Sequence, residues 1–291
     1  MPAEGPLRLA FLGDPNSIHI RRWVTFFSER GHRVTLLVDD DVEVGPGLAP
    51  AIAIERFAAV SVKGRFPPAS LVRAYRSVRR VVKRVDPDVL NAHFLTVHGW
   101  QGWLSGFHPF VATLWGSDIF ITPKRYRVAA LLSKATLRAA DMIMVNSEML
   151  SEAAKALGAP TERTEMIQFG VDLSRFTAGP DPTALRDSLG LQGKRVIFSP
   201  RGITPLYRHE VVIHALASLP ADVAVLMSRF RAQSSELEAL MNLAKALGLS
   251  DRIVIVDEIG HEQMPDYYRL ADVVVSVPMS DSTSVTLLEA L

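Results

Sequence analysis

Short apolar runs alternate along this chain with longer segments in which apolar residues return every three or four positions. Residues 7–13 (LRLAFLG) form such a run and end in turn chemistry, the pattern of a strand buried on both faces. Residues 17–30 carry Ile18, Trp23, Phe26 and Phe27 near helical spacing, and Gly31 ends them. Strands are predicted over 33–38, 51–57, 89–93, 110–114 and 142–145. Helices are predicted over 70–85, 98–106 and 125–140. In the helix 70–85, Leu71, Ala74, Tyr75, Val78, Val81, Val82 and Val85 share one face, and Pro87 closes it. Residues 177–194 (TAGPDPTALRDSLGLQGK) are rich in Gly, Pro and polar groups and hold one short helix. The alternation then restarts, with strands over 195–199, 222–227, 252–256 and 273–277. Helices follow over 210–219, 234–247 and 262–270, and a last one begins near Ser284.

Repeated βα units imply parallel sheets with helices on both faces. The expected fold is α/β: an N-terminal domain over 1–176, a linker over 177–193 and a second domain over 194–291. Two such domains commonly place ligands at the carboxyl ends of their strands, in a cleft between them.

Composition narrows the class. The chain is 48% hydrophobic and 22% charged, too apolar for disorder. No stretch of eighteen apolar residues suggests a membrane span, and the first residues lack the pattern of a secretory signal. The absence of cysteine excludes disulfides and thiolate zinc sites and fits a cytoplasmic protein. Net charge is +1, but residues 56–85 carry nine basic residues and no acidic one. The polar side of helix 70–85 is therefore a candidate for peripheral contact with an anionic membrane, against the simpler reading of a docked helix with a solvated face. No aromatics interleave with these arginines, so nucleic acid is not an expected partner.

The first strand is followed by Gly13-Asp14-Pro15-Asn16-Ser17, with one glycine where a dinucleotide fingerprint needs three. Nicotinamide and flavin cofactors are therefore not expected, although Asp39, Asp40 and Asp41 end the second strand. The segment 276–291 (SVPMSDSTSVTLLEAL) is more informative. A strand ends, a polar turn follows, and a helix begins with Ser282, Thr283, Ser284, Val285 and Thr286 around its start. Hydroxyls and free N–H groups there suit a phosphate. Glu289 lies within the helix, where a carboxylate can accept from ribose hydroxyls. Asp281 lies eight positions earlier. Read plainly, the segment is also just a capped helix.

Here the chain resembles the retaining GT-B glycosyltransferases of family 4. The segment 281–289 is similar to that family's E-x7-E region, with Asp281 in place of the first Glu. FLGDPNSIHIRRWVTFFSERGHRVTLLV resembles its first βαβ unit. DPDVLNAHF, FVATLWGSD, ADMIMVNSE, MIQFGVDLSRF and VIFSPRG resemble its later segments in order along the chain. The resemblance implies two Rossmann-like domains, a nucleoside diphosphate sugar as co-substrate, no metal or other cofactor, and glycosyl transfer to a sugar or lipid-linked acceptor. Retained anomeric configuration is part of that implication, in polysaccharide, glycolipid or glycoconjugate synthesis. It places the donor diphosphate at Arg201, with Arg208 substituting for the family's Lys, and the nucleotide ribose at Glu289. Asp281 would meet the transferred sugar. On the acceptor side it places Gly13, Asp14 and the loop to His19, together with His93, Trp115, Gly116 and Asp118. Trp115 stands where the family carries a His, so it stacks or fills space and moves no proton; Asp118 either binds an acceptor hydroxyl or caps the following turn. Because family members continue beyond the position of Glu289, the second domain is expected to be incomplete. An epimerase of similar fold and an inactive binding fragment are the alternative readings.

Overall fold

The computed structural model describes residues 5–58 and 68–291, with the side chains of 68–71 outside that description. Lys63 and Arg65 of the basic run, and the Leu71 side chain of the predicted helix face, lie outside the described residues. The chain divides into two compact units, Met1–Gln168 and Phe169–Leu291.

The first unit runs β1 (Arg8–Leu12), α1 (Ile18–Glu29), β2 (Arg33–Asp39), β3 (Ala53–Phe57), α2 (Pro68–Val85), β4 (Val89–His93), α3 (Trp100–Ser105), β5 (Phe110–Thr113), α4 (Ser117–Phe120), α5 (Thr122–Arg125), α6 (Arg127–Ala139), β6 (Met142–Val145), α7 (Glu148–Leu157) and β7 (Thr164–Met166). Its seven strands form one sheet in the order β3-β2-β1-β4-β5-β6-β7. The paired strands are parallel throughout.

Alternation along each strand explains why both faces are apolar. Leu9 and Phe11 of β1 join Val34, Leu36 and Val38 of β2 against Ile20 and Val24 of α1. Ala10 and Leu12 point the other way, into a core closed by Val78, Val81 and Val82 of α2, Leu137 of α6 and Leu150 of α7. The face predicted for helix 70–85 is thus the one that docks, while Arg73, Arg76 and Arg80 are exposed. Gly102 sets how closely α3 approaches the sheet: a Cβ there would lie 2.4 Å from Phe110 Cε2 and 3.2 Å from Ala92 Cβ.

Two departures from the sequence reading are informative. The helix predicted from 98 begins only at Trp100, because Leu95–Gly99 forms a wide turn closed by Gly99 N–H on the Phe94 carbonyl at 3.0 Å. Phe94 and Val97 there have φ of 78° and 75°, costly for residues with a side chain. The second departure is α7, which the sequence reading passed over despite its end signals. Ser147 Oγ accepts the Leu150 N–H at 3.2 Å, and Gly158 turns left-handed after the last turn.

The second unit runs α8 (Thr183–Ser188), β8 (Arg195–Ser199), α9 (His209–Leu216), β9 (Val223–Ser228), α10 (Ser234–Ala246), β10 (Ile253–Val256), α11 (Met264–Leu270), β11 (Val273–Val274) and α12 (Val285–Ala290). Its parallel sheet has the order β10-β9-β8-β11. Val223, Val225 and Met227 of β9 pack with Ile213, Leu216 and Leu240. Ala224 and Leu226 pack on the opposite face with Val196, Phe198 and Leu270. The segment 177–193, expected as a linker, is fastened to this unit. Leu191 is in its core, and Arg186 Nη2 donates to the Leu270 carbonyl at 2.9 Å. The strand predicted over 273–277 pairs over Val273–Val274 and is prolonged by Val275 N–H on the Phe198 carbonyl at 2.9 Å.

The end of β2 carries a titrating group. Burial pushes the Asp39 carboxyl up to about 6, against a hydrogen bond from Gln101 and with Asp41 and Asp40 adding repulsion. Gln101 Nε2 donates to Asp39 Oδ1 at 3.0 Å. A raised folded-state value means that the folded chain binds more protons than the unfolded one between the unfolded value and about 6, so this group's contribution is lost as pH rises through that window. Asp39→Asn, which keeps the acceptor for Gln101, should therefore be more stable than wild type at pH 7.5, with the difference shrinking toward pH 4.5. Urea denaturation at the two pH values measures this; a pH-independent difference would exclude it.

Candidate functional site

In the second unit the functional side chains gather beyond the carboxyl ends of β8 and β11. Gly202 lets this loop run close to its neighbour: a Cβ there would sit 2.8 Å from the Phe230 carbonyl oxygen. The preceding Arg201 is drawn inward, with its side chain 12% exposed. Its Nη1 donates to Ser284 Oγ at 2.8 Å and Thr286 Oγ1 at 3.2 Å, and its Nη2 to Asp281 Oδ2 at 2.8 Å. The Tyr207 ring lies 4.2 Å from the guanidinium carbon, a cation–π arrangement. Asp281 Oδ1 accepts the Ser282 N–H at 2.9 Å, and the Ser284 and Thr286 hydroxyls are 2.9 Å apart. The structure therefore unites Arg201, Asp281, Ser282, Ser284 and Thr286, with Thr283 and Val285 between them in sequence.

Glu289 belongs to a second network on the same short helix. The helix buries this carboxylate, which accepts from Tyr268 OH at 3.2 Å and lies 3.3 Å from His261 Nε2. His261 Nδ1 is 2.9 Å from Arg175 Nη1, and the Phe176 ring rests against both His261 and Tyr268. Tyr207, Tyr268 and His261 were not legible as site residues. They lie far from 281–289 in sequence, on separate elements, and no spacing rule links them. Arg208 makes a looser contact of its own. It sits in left-handed conformation with its side chain half exposed and 3.7 Å from Glu210.

In the first unit, Gly13 follows β1 because a Cβ would fall 2.3 Å from Ile20 Cδ1. Asp14 shapes the loop, its Oδ1 accepting the Asn16 N–H at 2.9 Å and its carbonyl the Ser17 N–H at 3.0 Å. That turn starts α1 and presents His19, whose ring is 4.3 Å from Trp115. His93, at the end of β4, is enclosed by aromatic rings: Phe11 at 5.8 Å, Trp23 at 5.4 Å and Trp115 at 5.5 Å. Burial, reinforced by His98 and His19, lowers the His93 imidazole to about 3. Burial likewise lowers His98 to about 4. Both rings are neutral near pH 7, and neither has a hydrogen-bonding partner among the described residues. His98 carries no site signal in the sequence, where it falls at the start of the helix expected over 98–106.

Asp118 is engaged by the backbone of two turns. Its fully buried carboxylate accepts N–H groups from Leu95 at 2.7 Å, Gly116 at 2.7 Å and Trp115 at 3.1 Å. Burial raises its proton affinity while these backbone donors oppose the rise. It ties the strained turn after β4 to the turn after β5, and so positions His93, His98 and Trp115. The cap on the following turn expected from the sequence is not formed, because these donors, Leu95, Trp115 and Gly116, all precede Asp118 and the helix after Gly116 has no side-chain cap.

Beside α2 lies a cavity of about 470 Å³ walled by Arg56, Arg73, Arg76, Arg80 and Ser77, with Asp40 at its edge. Val72 also lines an apolar groove of about 390 Å³ formed with Tyr75, Trp100, Trp103, Leu104 and Leu132. Among the described residues no helix is long and apolar enough to cross a membrane, and no three acidic or histidine side chains converge to hold a metal ion.

Comparisons with known proteins give this geometry a family. The model described as "Glycosyl transferase 4-like" matches residues 8–147, and "Glycosyl transferases group 1" matches residues 181–291. The chain is 26% identical over 310 residues to a D-inositol 3-phosphate glycosyltransferase of Mycobacterium sp. (strain JLS), covering 98% of this chain and 70% of that one. It is 32% identical over 163 residues to D-inositol 3-phosphate glycosyltransferase 2 of Catenulispora acidiphila, covering 52% of this chain and 38% of that one. Among solved structures, sucrose-phosphate synthase of Thermosynechococcus elongatus superposes with TM-score 0.80 at 17% identity, covering 97% of this chain and 78% of that one. Anabaena HepE in complex with UDP and glucose superposes with TM-score 0.76 at 20% identity, covering 98% and 78%. Two parallel-sheet units of this architecture, matched in succession by these two family models, make the chain a member of the family-4-like, group 1 glycosyltransferases of GT-B fold.

Proposed function

We propose that this glycosyltransferase moves a sugar from a nucleoside diphosphate sugar to an acceptor hydroxyl, with retention of anomeric configuration. The observation that carries the donor assignment is the partly buried Arg201 guanidinium grouped with the Ser284 and Thr286 hydroxyls. A fixed cation beside rotatable hydroxyls suits a diphosphate, and the charge it stabilises grows as the leaving group departs. Glu289, steadied by Tyr268, takes the ribose hydroxyls, and Asp281 takes a hydroxyl of the transferred sugar. The solved HepE complexes hold UDP, UDP-glucose, or UDP with glucose, and support a sugar-nucleotide reading of this fold.

On the acceptor side, the neutral imidazoles of His93 and His98 and the rings of Trp23 and Trp115 suit a polyol or sugar. Each neutral imidazole offers one donor and one acceptor, as a hydroxyl does, and the rings suit a C–H face. No metal takes part in this reading. Synthesis of a polysaccharide, glycolipid or glycoconjugate is the setting that fits, and a cysteine-free chain suits the reducing cytoplasm. The arginine-walled cavity next to an apolar groove supports peripheral contact with an anionic lipid surface through α2.

Calorimetric titration with UDP and GDP tests the donor site. One of them should bind, and Arg201→Ala and Glu289→Gln should each weaken it by about tenfold or more, the scale of a lost charged hydrogen bond. Failure of both nucleotides to bind, or indifference to both substitutions, would reject it. Proton NMR of the glycosylated product should show the donor's anomeric configuration; an inverted product would refute retention. Flotation with phosphatidylglycerol vesicles should carry the protein, phosphatidylcholine vesicles should not, and the charge reversal Arg73→Glu, Arg76→Glu, Arg80→Glu should abolish it. Equal behaviour with both lipids would end the membrane proposal.

A further inference from the structure

The guanidinium assigned to the donor diphosphate already holds an anion that belongs to the chain itself. Arg201 donates to the Asp281 carboxylate at 2.8 Å, with side-chain exposures of only 12% and 26%. The pair is thus shielded from much of the solvent screening that weakens open surface pairs. The ring of Tyr207 covers the guanidinium, and Ser282 N–H fixes the other Asp281 oxygen at 2.9 Å. A bound phosphate is held alike, one oxygen on a charged donor and another on a backbone N–H, with hydroxyls close by.

The partners of Arg201 differ in what they do when a diphosphate arrives. Ser284 and Thr286 are neutral, and their hydroxyls can turn to donate to a phosphate oxygen while the guanidinium does the same. Asp281 has only acceptors and a negative charge, so it repels a phosphate placed on the same guanidinium edge. A diphosphate bound on that edge therefore needs the carboxylate to move off Arg201. A displaced, half-enclosed carboxylate then needs new donors. An intact sugar nucleotide brings them, because hydroxyls of its sugar lie a few bonds from the β-phosphate. The nucleoside diphosphate left after transfer brings none.

We propose that Asp281 is an in-chain substitute for the donor's phosphate, displaced most favourably by an intact sugar nucleotide, so that it selects donor over nucleoside diphosphate product. When the sugar has been transferred, Asp281 loses its hydroxyl donors and returns to Arg201, which favours release of the diphosphate. This rests on the donor-site reading above. It gives Asp281 a specificity role that the sequence pattern, which places it only beside the sugar, does not contain.

Titration calorimetry separates the two layers. UDP, GDP, UDP-glucose and GDP-glucose are titrated into wild type, Asp281→Asn, Asp281→Ser and Arg201→Ala. Asp281→Asn should bind the nucleoside diphosphate about five- to tenfold more tightly than wild type, the scale of a released charged hydrogen bond. The same variant should lose several-fold of the preference for the sugar nucleotide over the diphosphate. Asp281→Ser removes the charge with a different shape and should move both quantities in the same directions. Unchanged or weaker diphosphate binding in both Asp281 variants overturns the proposal, as does an unchanged preference. If Arg201→Ala abolishes a binding that is indifferent to Asp281, this proposal falls and the donor site stands. If no nucleotide binds wild type or any variant, the donor-site reading falls and this proposal falls with it.

Discussion

In both units the strands of a parallel sheet are covered on both faces, and that constraint governs where chemistry can occur. Phe11 and Leu12 of β1 point to opposite apolar layers, as do Leu226 and Met227 of β9. Burial of this kind drives folding and makes a polar group without a partner costly. The chain turns polar where strands stop, and several of the site residues lie at or just beyond a strand's carboxyl end. Gly13 and His93 follow or end β1 and β4, Trp115 follows β5, and Arg201 follows β8.

The two units use opposite electrostatics at those ends. In the second unit Arg201 and Asp281 form a partly buried ion pair ringed by hydroxyls, a site made for charge. In the first, burial holds His93 and His98 neutral, His93 among aromatic rings.

Precision in the first unit depends on one carboxylate. Asp118 accepts three backbone N–H groups from two turns, and this collects the strain of Phe94 and Val97 into a fixed shape. The turns satisfy its charge as it fixes their geometry, an arrangement that holds only when every donor is in place. The aromatic enclosure of His93 rests on that shape.

Much of this was legible in the residues alone. Period-two and period-3.6 patterns depend only on local geometry, so β4, β6 and β8 fall on the predicted residues and the docking face of α2 is the predicted one. The order of motifs pointed to the family for the same reason that it matches known relatives: each motif is a short local signal at a strand end. What the tertiary structure decided was which distant side chains meet. Tyr207, His261 and Tyr268 reach Arg201 and Glu289 from separate elements, Asp118 turns inward to backbone donors, and Arg208 lies 3.7 Å from Glu210. Hydrophobic period sets an element and its buried face. The partner of a polar side chain is set by how loops from different strands converge, and a linear pattern holds no measure of that distance.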